Sequence, residues 1–327
     1  MTPKPHDALA ALLAPRMAMV NDLIAQRMAS EHAPRIPEVT AHLVNAGGKR
    51  LRPMLTLAAA RMCGYDGAYD VHLAATVEFI HTATLLHDDV VDESAQRRGR
   101  PTANLLWDNK SSVLVGDYLF SRAFQLMVEP GNLRVLDILA NASATIAEGE
   151  VLQLTAAQDL RTTEATYLQV VRGKTAALFS AATEVGGVIA NAPEDQVKAL
   201  FAYGDALGIS FQIVDDLLDY WGSDATGKNI GDDFHERKLT LPLIKAVAAA
   251  DATERAFWQR VIEKGDQRDG DLEHALELLN KHNALAATQA ESLMWADKAK
   301  SALTALPDHE LRDLLTGLAD YVVARVN

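Results

Sequence analysis

Residues 85–92 read LLHDDVVD and residues 211–219 read FQIVDDLLD. In each stretch an Asp-Asp-x-x-Asp triplet closes an apolar run, and the apolar residues around it recur at spacings of three and four, which is a helical period. On a helix the first and fifth residues of such a triplet stand about 40° apart and the second about 100° from the first, so each helix offers a paired carboxylate. With 27 aspartates among 327 residues, the pattern is expected by chance roughly 0.2 times, so two copies carry far more weight than one.

Six carboxylates gathered from two helices repel one another unless cations intervene. All-oxygen ligands favour Mg²⁺, which keeps several waters and bridges carboxylates to substrate phosphates. Asp88, Asp89, Asp92, Asp215, Asp216 and Asp219 are therefore candidate metal ligands. The plain alternative is a solvated helix face. Val90, Val91, Leu217 and Leu218 argue against it, because apolar groups between the acids imply helices that are largely buried, and buried carboxylates need partners.

Outward from these motifs the helical period continues and strict alternation is almost absent, so the spacing predicts an all-α fold. Helices are expected at 7–30, 35–46, 53–63, 70–95, 110–128, 132–158, 163–190, 194–222, 238–250, 252–264, 269–303 and 308–325. Breaks fall where Gly, Pro, Asn and Asp cluster, and none is long enough for a linker. The expectation is one helical domain over 1–327.

Composition narrows the function. A net charge of -13 with no basic tail disfavours nucleic acid. The single cysteine, Cys63, can form no internal disulfide and points to a reducing, cytoplasmic setting. No apolar run reaches the roughly 18 to 20 residues that span a bilayer, which leaves at most peripheral membrane contact. The apolar start, Ala8 to Ala14, reads as a first helix rather than a signal peptide.

Positive charge is concentrated in a few places. Gly47-Gly48-Lys49-Arg50-Leu51-Arg52-Pro53 sets three cations beside two glycines, where amides and side chains could meet a diphosphate. Arg97, Arg98 and Arg100 follow the first aspartate cluster, Gly173-Lys174-Thr175 sits inside an expected helix, and Gly227-Lys228 follows the second cluster. Any one of these could be a salt-bridged surface patch. Jointly they suggest two anion sites, one metal-mediated and one lined by Lys and Arg. His81, seven residues before Asp88, could donate to an anion or be an ordinary core histidine.

These pieces resemble the trans-prenyl diphosphate synthase family, the polyprenyl synthetases, over at least Gly47 to Pro242: GGKRLRP at 47–53, LLHDDVVDESAQRRGRPT at 85–102, GKT at 173–175, FQIVDDLLDY at 211–220 and GKNIGDDFHERKLTLP at 227–242. The resemblance implies a helical bundle around a deep central cavity, a homodimer, and two aspartate motifs facing each other. It implies that Asp88 and Asp92 bind Mg²⁺ with Asp89 in support, opposed by Asp215, Asp216 and Asp219. Lys49, Arg52, His81 and Arg98 would hold isopentenyl diphosphate. Arg97, Lys174, Thr175, Gln212 and Lys228 would contact the allylic diphosphate, and Asp88, Asp92, Asp215, Lys174 and Arg97 would carry catalysis. Two departures stand out: Arg237 where the family commonly has glycine, and Asn104 where a histidine is frequent.

Product length follows from small residues one turn before Asp88. Ala83 and Thr84 replace the bulky aromatics that stop growth early in the family, so the resemblance is to the long-chain, octaprenyl or decaprenyl type. Val77 and Ile80 would continue the wall. A product of eight to ten units is roughly 40 to 50 Å long against a radius of gyration of about 20 Å, which calls for a tunnel ending near the far surface or the subunit contact. A quinone side chain is the expected use. The competing functions are a farnesyl or geranylgeranyl diphosphate synthase, a terpene cyclase, and a noncatalytic subunit of a heteromeric synthase.

Overall fold

The computed structural model describes residues 4–45, 48–97, 99–221 and 230–326. Helices form where the periodic stretches are: α1 (Pro5–Met28), α2 (Arg35–Asn45), α3 (Leu51–Met62), α4 (Tyr69–Val91), α5 (Ala103–Leu106), α6 (Asn109–Val128), α7 (Leu133–Ala156), α8 (Glu164–Val171), α9 (Ala177–Ile189), α10 (Glu194–Trp221), α11 (Asp232–His235), α12 (Leu241–Ala249), α13 (Ala252–Trp258), α14 (Asp271–Lys281), α15 (Ala284–Ala302) and α16 (Glu310–Val323). The fold is all-α. Its one departure among the described residues is a two-stranded hairpin, β1 (Gln96–Arg97) with β2 (Arg100–Pro101).

Several boundaries differ from the sequence expectation for identifiable reasons. The helix expected to reach 95 ends at Val91. Asp92 caps it, Glu93 turns left-handed at φ 51, and Ser94 N–H donates to Asp89 O. The single helix expected over 269–303 is two, α14 and α15, divided at Asn283 with φ 52; asparagine tolerates that conformation, and the apolar period carries on across the break. The helix expected over 163–190 contains a π-helical turn at Arg172–Ala176.

The chain forms two compact units: Met1–Ser143 with Leu178–Phe201 and Ala305–Leu314, and Ala144–Ala177 with Ala202–Thr304 and Leu315–Asn327. In the first, α4 packs against α1, α3, α5 and α6, and Val77, Phe79, Ile80, Ala83 and Leu86 are buried along it. A Cβ on Gly186 of α9 would stand 2.7 to 2.8 Å from Ala59, Ala60 and Thr56 of α3, so those helices touch backbone to backbone. Cys63 is half-buried after α3, and burial pushes its thiol up to about 11. In the second unit α12 packs against α8, α13, α14 and α15, and Trp258, Val261, Ile262 and Leu279 are buried.

By length and composition, α1 and α10 are apolar enough to cross a bilayer, which corrects the expectation that no such segment exists. Such windows admit charged residues and so do not read as unbroken runs. Most of the α10 window is inside the fold, and α1 buries Leu9, Leu13, Val20, Ile24 and Met28, as a helix covering a core does.

Candidate active site

In the first unit the basic turn leads into α3. Arg50 occupies the left-handed region at φ 48, and its guanidinium is paired with the buried Glu78 of α4. One turn later on α4, His81 Nε2 lies 3.3 Å from Arg52 Nη1. Arginine can only donate, so His81 Nε2 is the acceptor in that contact. The Arg52 guanidinium lies over the Phe179 ring at 4.5 Å, and His6 Nε2 is 3.2 Å from the Lys49 carbonyl oxygen. Lys49 itself is exposed. Arg52 and His81 are thus brought together beside the Lys49 turn. Gly47 and Arg98, also assigned to this site by sequence, lie outside the described residues.

The first aspartate triplet closes α4. Asp88 is half-buried in the last turn, Asp92 is the C-cap, and Asp89 is fully buried. Arg97 comes back from the hairpin and donates to Asp89 Oδ1 from Nε at 2.8 Å and from Nη2 at 2.7 Å. Asp89 Oδ2 is buried with no hydrogen-bond partner. The burial of Asp89 rules out a plain solvated face. Ala83 is buried, and Thr84 is half-buried with its hydroxyl donating to the His81 carbonyl at 2.9 Å.

The second unit holds a cavity of about 140 Å³, lined by Tyr167, Lys174, Thr175, Gln212, Asp216 and Lys238 among others. The Gly173-Lys174-Thr175 motif enters it on the π-helical turn, a local irregularity often found at functional sites. Glycine is required there: a Cβ on Gly173 would come within 2.7 Å of Gly149 Cα on α7. Lys174 Nζ is held by Glu150 at 3.0 Å. A chain of hydrogen bonds crosses the cavity: Thr175 Oγ1 donates to Gln212 Oε1 at 2.7 Å, Gln212 Nε2 to Asp216 Oδ1 at 2.8 Å, and Tyr167 O–H to Asp216 Oδ2 at 2.5 Å.

Asp216 and Asp219 are buried on α10. Burial raises the Asp216 carboxyl to about 7 against the opposing hydrogen bonds from Tyr167 and Gln212, with the charges of Asp215 and Asp219 adding to the rise. Burial, and then the charges of Asp216 and Asp219, hold Asp233 well above the ordinary carboxylate range. The Asp233 N–H donates to Asp219 Oδ2 at 3.1 Å. Asp215 is more open and meets Arg325 Nη2 at 3.4 Å.

The structure therefore brings together Lys174, Thr175, Gln212 and Asp216 in one unit, and Arg52 with His81 and Arg97 with Asp89 in the other. Lys228 lies outside the described residues. Sequence reasoning missed Tyr167, Glu78 and Glu150, which carry no motif. It also passed over Asp233 and Lys238, although both stand in the GKNIGDDFHERKLTLP stretch.

A polyprenyl synthetase family model matches residues 33–279. The chain is 45% identical over 317 residues to octaprenyl diphosphate synthase from Escherichia coli, covering 94% of this chain and 98% of that one. Among solved structures, a decaprenyl diphosphate synthase from Rhodobacter capsulatus is 75% identical with a TM-score of 0.96, covering 98% and 99% of the two chains. A polyprenyl synthase from Caulobacter crescentus, solved with calcium and isoprenyl diphosphate, is 50% identical with a TM-score of 0.93 over 98% of both chains.

Proposed function

The chain belongs to the polyprenyl synthetase family and is a prenyltransferase, and we propose that it joins isopentenyl diphosphate to an allylic diphosphate to build a long, all-trans polyprenyl diphosphate in the octaprenyl to decaprenyl range. The observation that carries this reading is the cavity in which Lys174, Thr175 and Lys238 stand beside the buried Asp216. Cations and donors next to repelling carboxylates suit a diphosphate accompanied by metal. Similarity to synthases named for octaprenyl and decaprenyl products supports the length, as do the small Ala83 and Thr84. Quinone side chains are the use proposed for such a product.

The donor set fits a divalent cation. Asp89 keeps an orphaned buried oxygen, and Asp216 resists ionisation because it is buried, with the like charges of Asp215 and Asp219 adding to the effect. Among the described residues no three His, Cys, Asp or Glu side chains close on one point. The protein offers open carboxylate edges, which diphosphate oxygens would complete. We assign the cations as Mg²⁺, with Asp88 and Asp92, backed by Asp89, as the ligand set of one unit and Asp215, Asp216 and Asp219 as that of the other. When bound, Mg²⁺ supplies Lewis acidity that draws charge onto the leaving diphosphate. The calcium in the Caulobacter crescentus structure supports a divalent ion.

The chain's own residues bind and orient. Lys174, Lys238, Thr175 and Gln212 would take the allylic diphosphate, with Arg97 and Lys228 as further contacts. Lys49, Arg52, His81 and Arg98 would fix isopentenyl diphosphate so that its double bond meets the allylic carbon. Positioning and fixed charge supply the rate, with no covalent nucleophile. The departing diphosphate is proposed to take the proton released as the new double bond forms.

A homodimer belongs to this reading: Leu114, Phe124 and Val128 on α6 are exposed apolar residues that a second copy would cover. The single cysteine supports a cytoplasmic setting. Purified protein with Mg²⁺, isopentenyl diphosphate and farnesyl diphosphate should yield long prenyl diphosphates by mass spectrometry. A cyclised hydrocarbon would indicate a terpene cyclase, a chain that stops at four units a geranylgeranyl diphosphate synthase, and no elongation a noncatalytic subunit or a synthase that stops at farnesyl.

A further inference from the structure

The segment that delivers Lys238 to the cavity closes in a way its sequence does not favour. After α11, Lys238 N–H donates to Asp233 O at 2.8 Å and Arg237 N–H to Phe234 O at 3.0 Å. This pair of bonds ends a helix on one left-handed residue, a position glycine ordinarily fills because it has no Cβ to clash. Here it is Arg237, at φ 60. Its side chain is committed elsewhere: Nε donates to Ile262 O at 2.7 Å and Nη2 to Glu263 O at 2.5 Å. Those carbonyls end a π-helical turn, Gln259–Glu263, where backbone acceptors need outside donors.

The surroundings are shaped to this contact. A Cβ on Gly265 would stand 2.9 Å from Arg237 Nη1, so the guanidinium lies flat against that residue. Gln267 Nε2 adds donations to Phe234 O at 2.8 Å and Val261 O at 3.2 Å. On the other side of Lys238, Leu239 N–H donates to Ala157 O at 3.1 Å, and Ala157 and Leu239 both line the cavity. Lys238 is thus pinned from both sides, by the arginine on one and by the α7 end on the other.

We propose that Arg237 is a positioning residue for the allylic diphosphate: it staples the Lys238 limb to the 259–265 segment and so sets where the lysine stands in the cavity. Strain at its backbone is accepted because a glycine would leave the limb tied on one side only. The inference rests on the reading of the cavity as the allylic diphosphate site.

Two variants separate side chain from backbone. Arg237→Gly removes the staple and relieves the strained φ, and Arg237→Ala removes the staple and keeps the strain. In steady-state assays both should raise KM for farnesyl diphosphate by about fivefold or more while leaving KM for isopentenyl diphosphate within about twofold, and Arg237→Lys, with one donor group for two carbonyls, should fall between them and wild type. A structural role alone would lower the melting temperature and leave the allylic KM unmoved, and that result overturns the staple. Lys238→Ala is the control. If it raises the allylic KM and Arg237→Gly does not, the staple fails and the cavity reading stands. If Lys238→Ala leaves that KM unchanged, the cavity reading fails and takes the staple with it.

Discussion

Five residues other than glycine adopt left-handed backbone among the described residues: Arg50, Glu93, Asn191, Arg237 and Asn283. Asparagine is at home there. The three charged residues are not, and each borders a motif of the candidate site: the basic turn, the first aspartate triplet and the Lys238 limb. Strain of this kind persists where the surroundings over-determine it. For Arg50 the determinant is Glu78. Glu78→Ala would leave a largely buried guanidinium without its partner, costing about 2 to 3 kcal/mol in urea unfolding, and should raise KM for isopentenyl diphosphate more than for the allylic substrate. The cations of GGKRLRP were legible as an anion site because glycines and a proline frame them. Glu78 was not legible, because a glutamate inside an apolar helical run does not reveal a partner 28 residues away. The two length-setting residues also differ. Ala83 is buried, so a Phe there overpacks the α4 surroundings at about 1 to 3 kcal/mol. Thr84 is half-buried, and Thr84→Tyr is the cleaner test: product mass should fall by whole five-carbon units while the melting temperature holds.

At the scale of elements, the apolar period located nearly every long helix and was blind to what interrupts them. A π-helical turn inserts a residue without erasing the pattern on either side, so the GKT motif was seen and its irregular backbone was not. The same blindness joined α14 to α15 and carried α4 past Asp92. The irregularity depends on close approach: a Cβ on Gly149 would lie 2.7 Å from Lys174 N and 2.8 Å from Gly173 Cα. Gly149→Ala should therefore push the turn away from α7, costing about 1 to 3 kcal/mol and raising KM for the allylic diphosphate. Thermal melts together with kinetics distinguish the two effects. An unchanged KM would detach the turn from the site.

For the molecule as a whole, the buried acids tie stability to pH and cation. Asp216 has its carboxyl raised to about 7 in the fold against about 4 in an unfolded chain. Between those values Asp216 is more protonated in the folded state than in the unfolded one, so the stability it contributes falls as pH rises from about 4 to about 7 and then levels. Metal-free protein should melt at a lower temperature at pH 8 than at pH 5, and Asp216→Asn should flatten that dependence. Mg²⁺ with inorganic diphosphate should raise the melting temperature more at pH 8, where the carboxylate is ionised and ready to meet a cation; an equal gain at both pH values would separate Asp216 from the metal. The sequence foretold the acidic clusters because their spacing repeats. It did not foretell which acids are buried, since that depends on Tyr167 of α8 and Asp233 of α11 arriving from other segments.

The thiol of Cys63, raised to about 11, leaves only about one molecule in several thousand as thiolate at pH 7.5. Maleimides and other electrophiles that seek thiolates will pass it by over ordinary reaction times. A fluorophore or spin label could then be attached at any newly introduced surface cysteine with the native residue left in place, and the molecule comes already prepared for distance measurements along its helices.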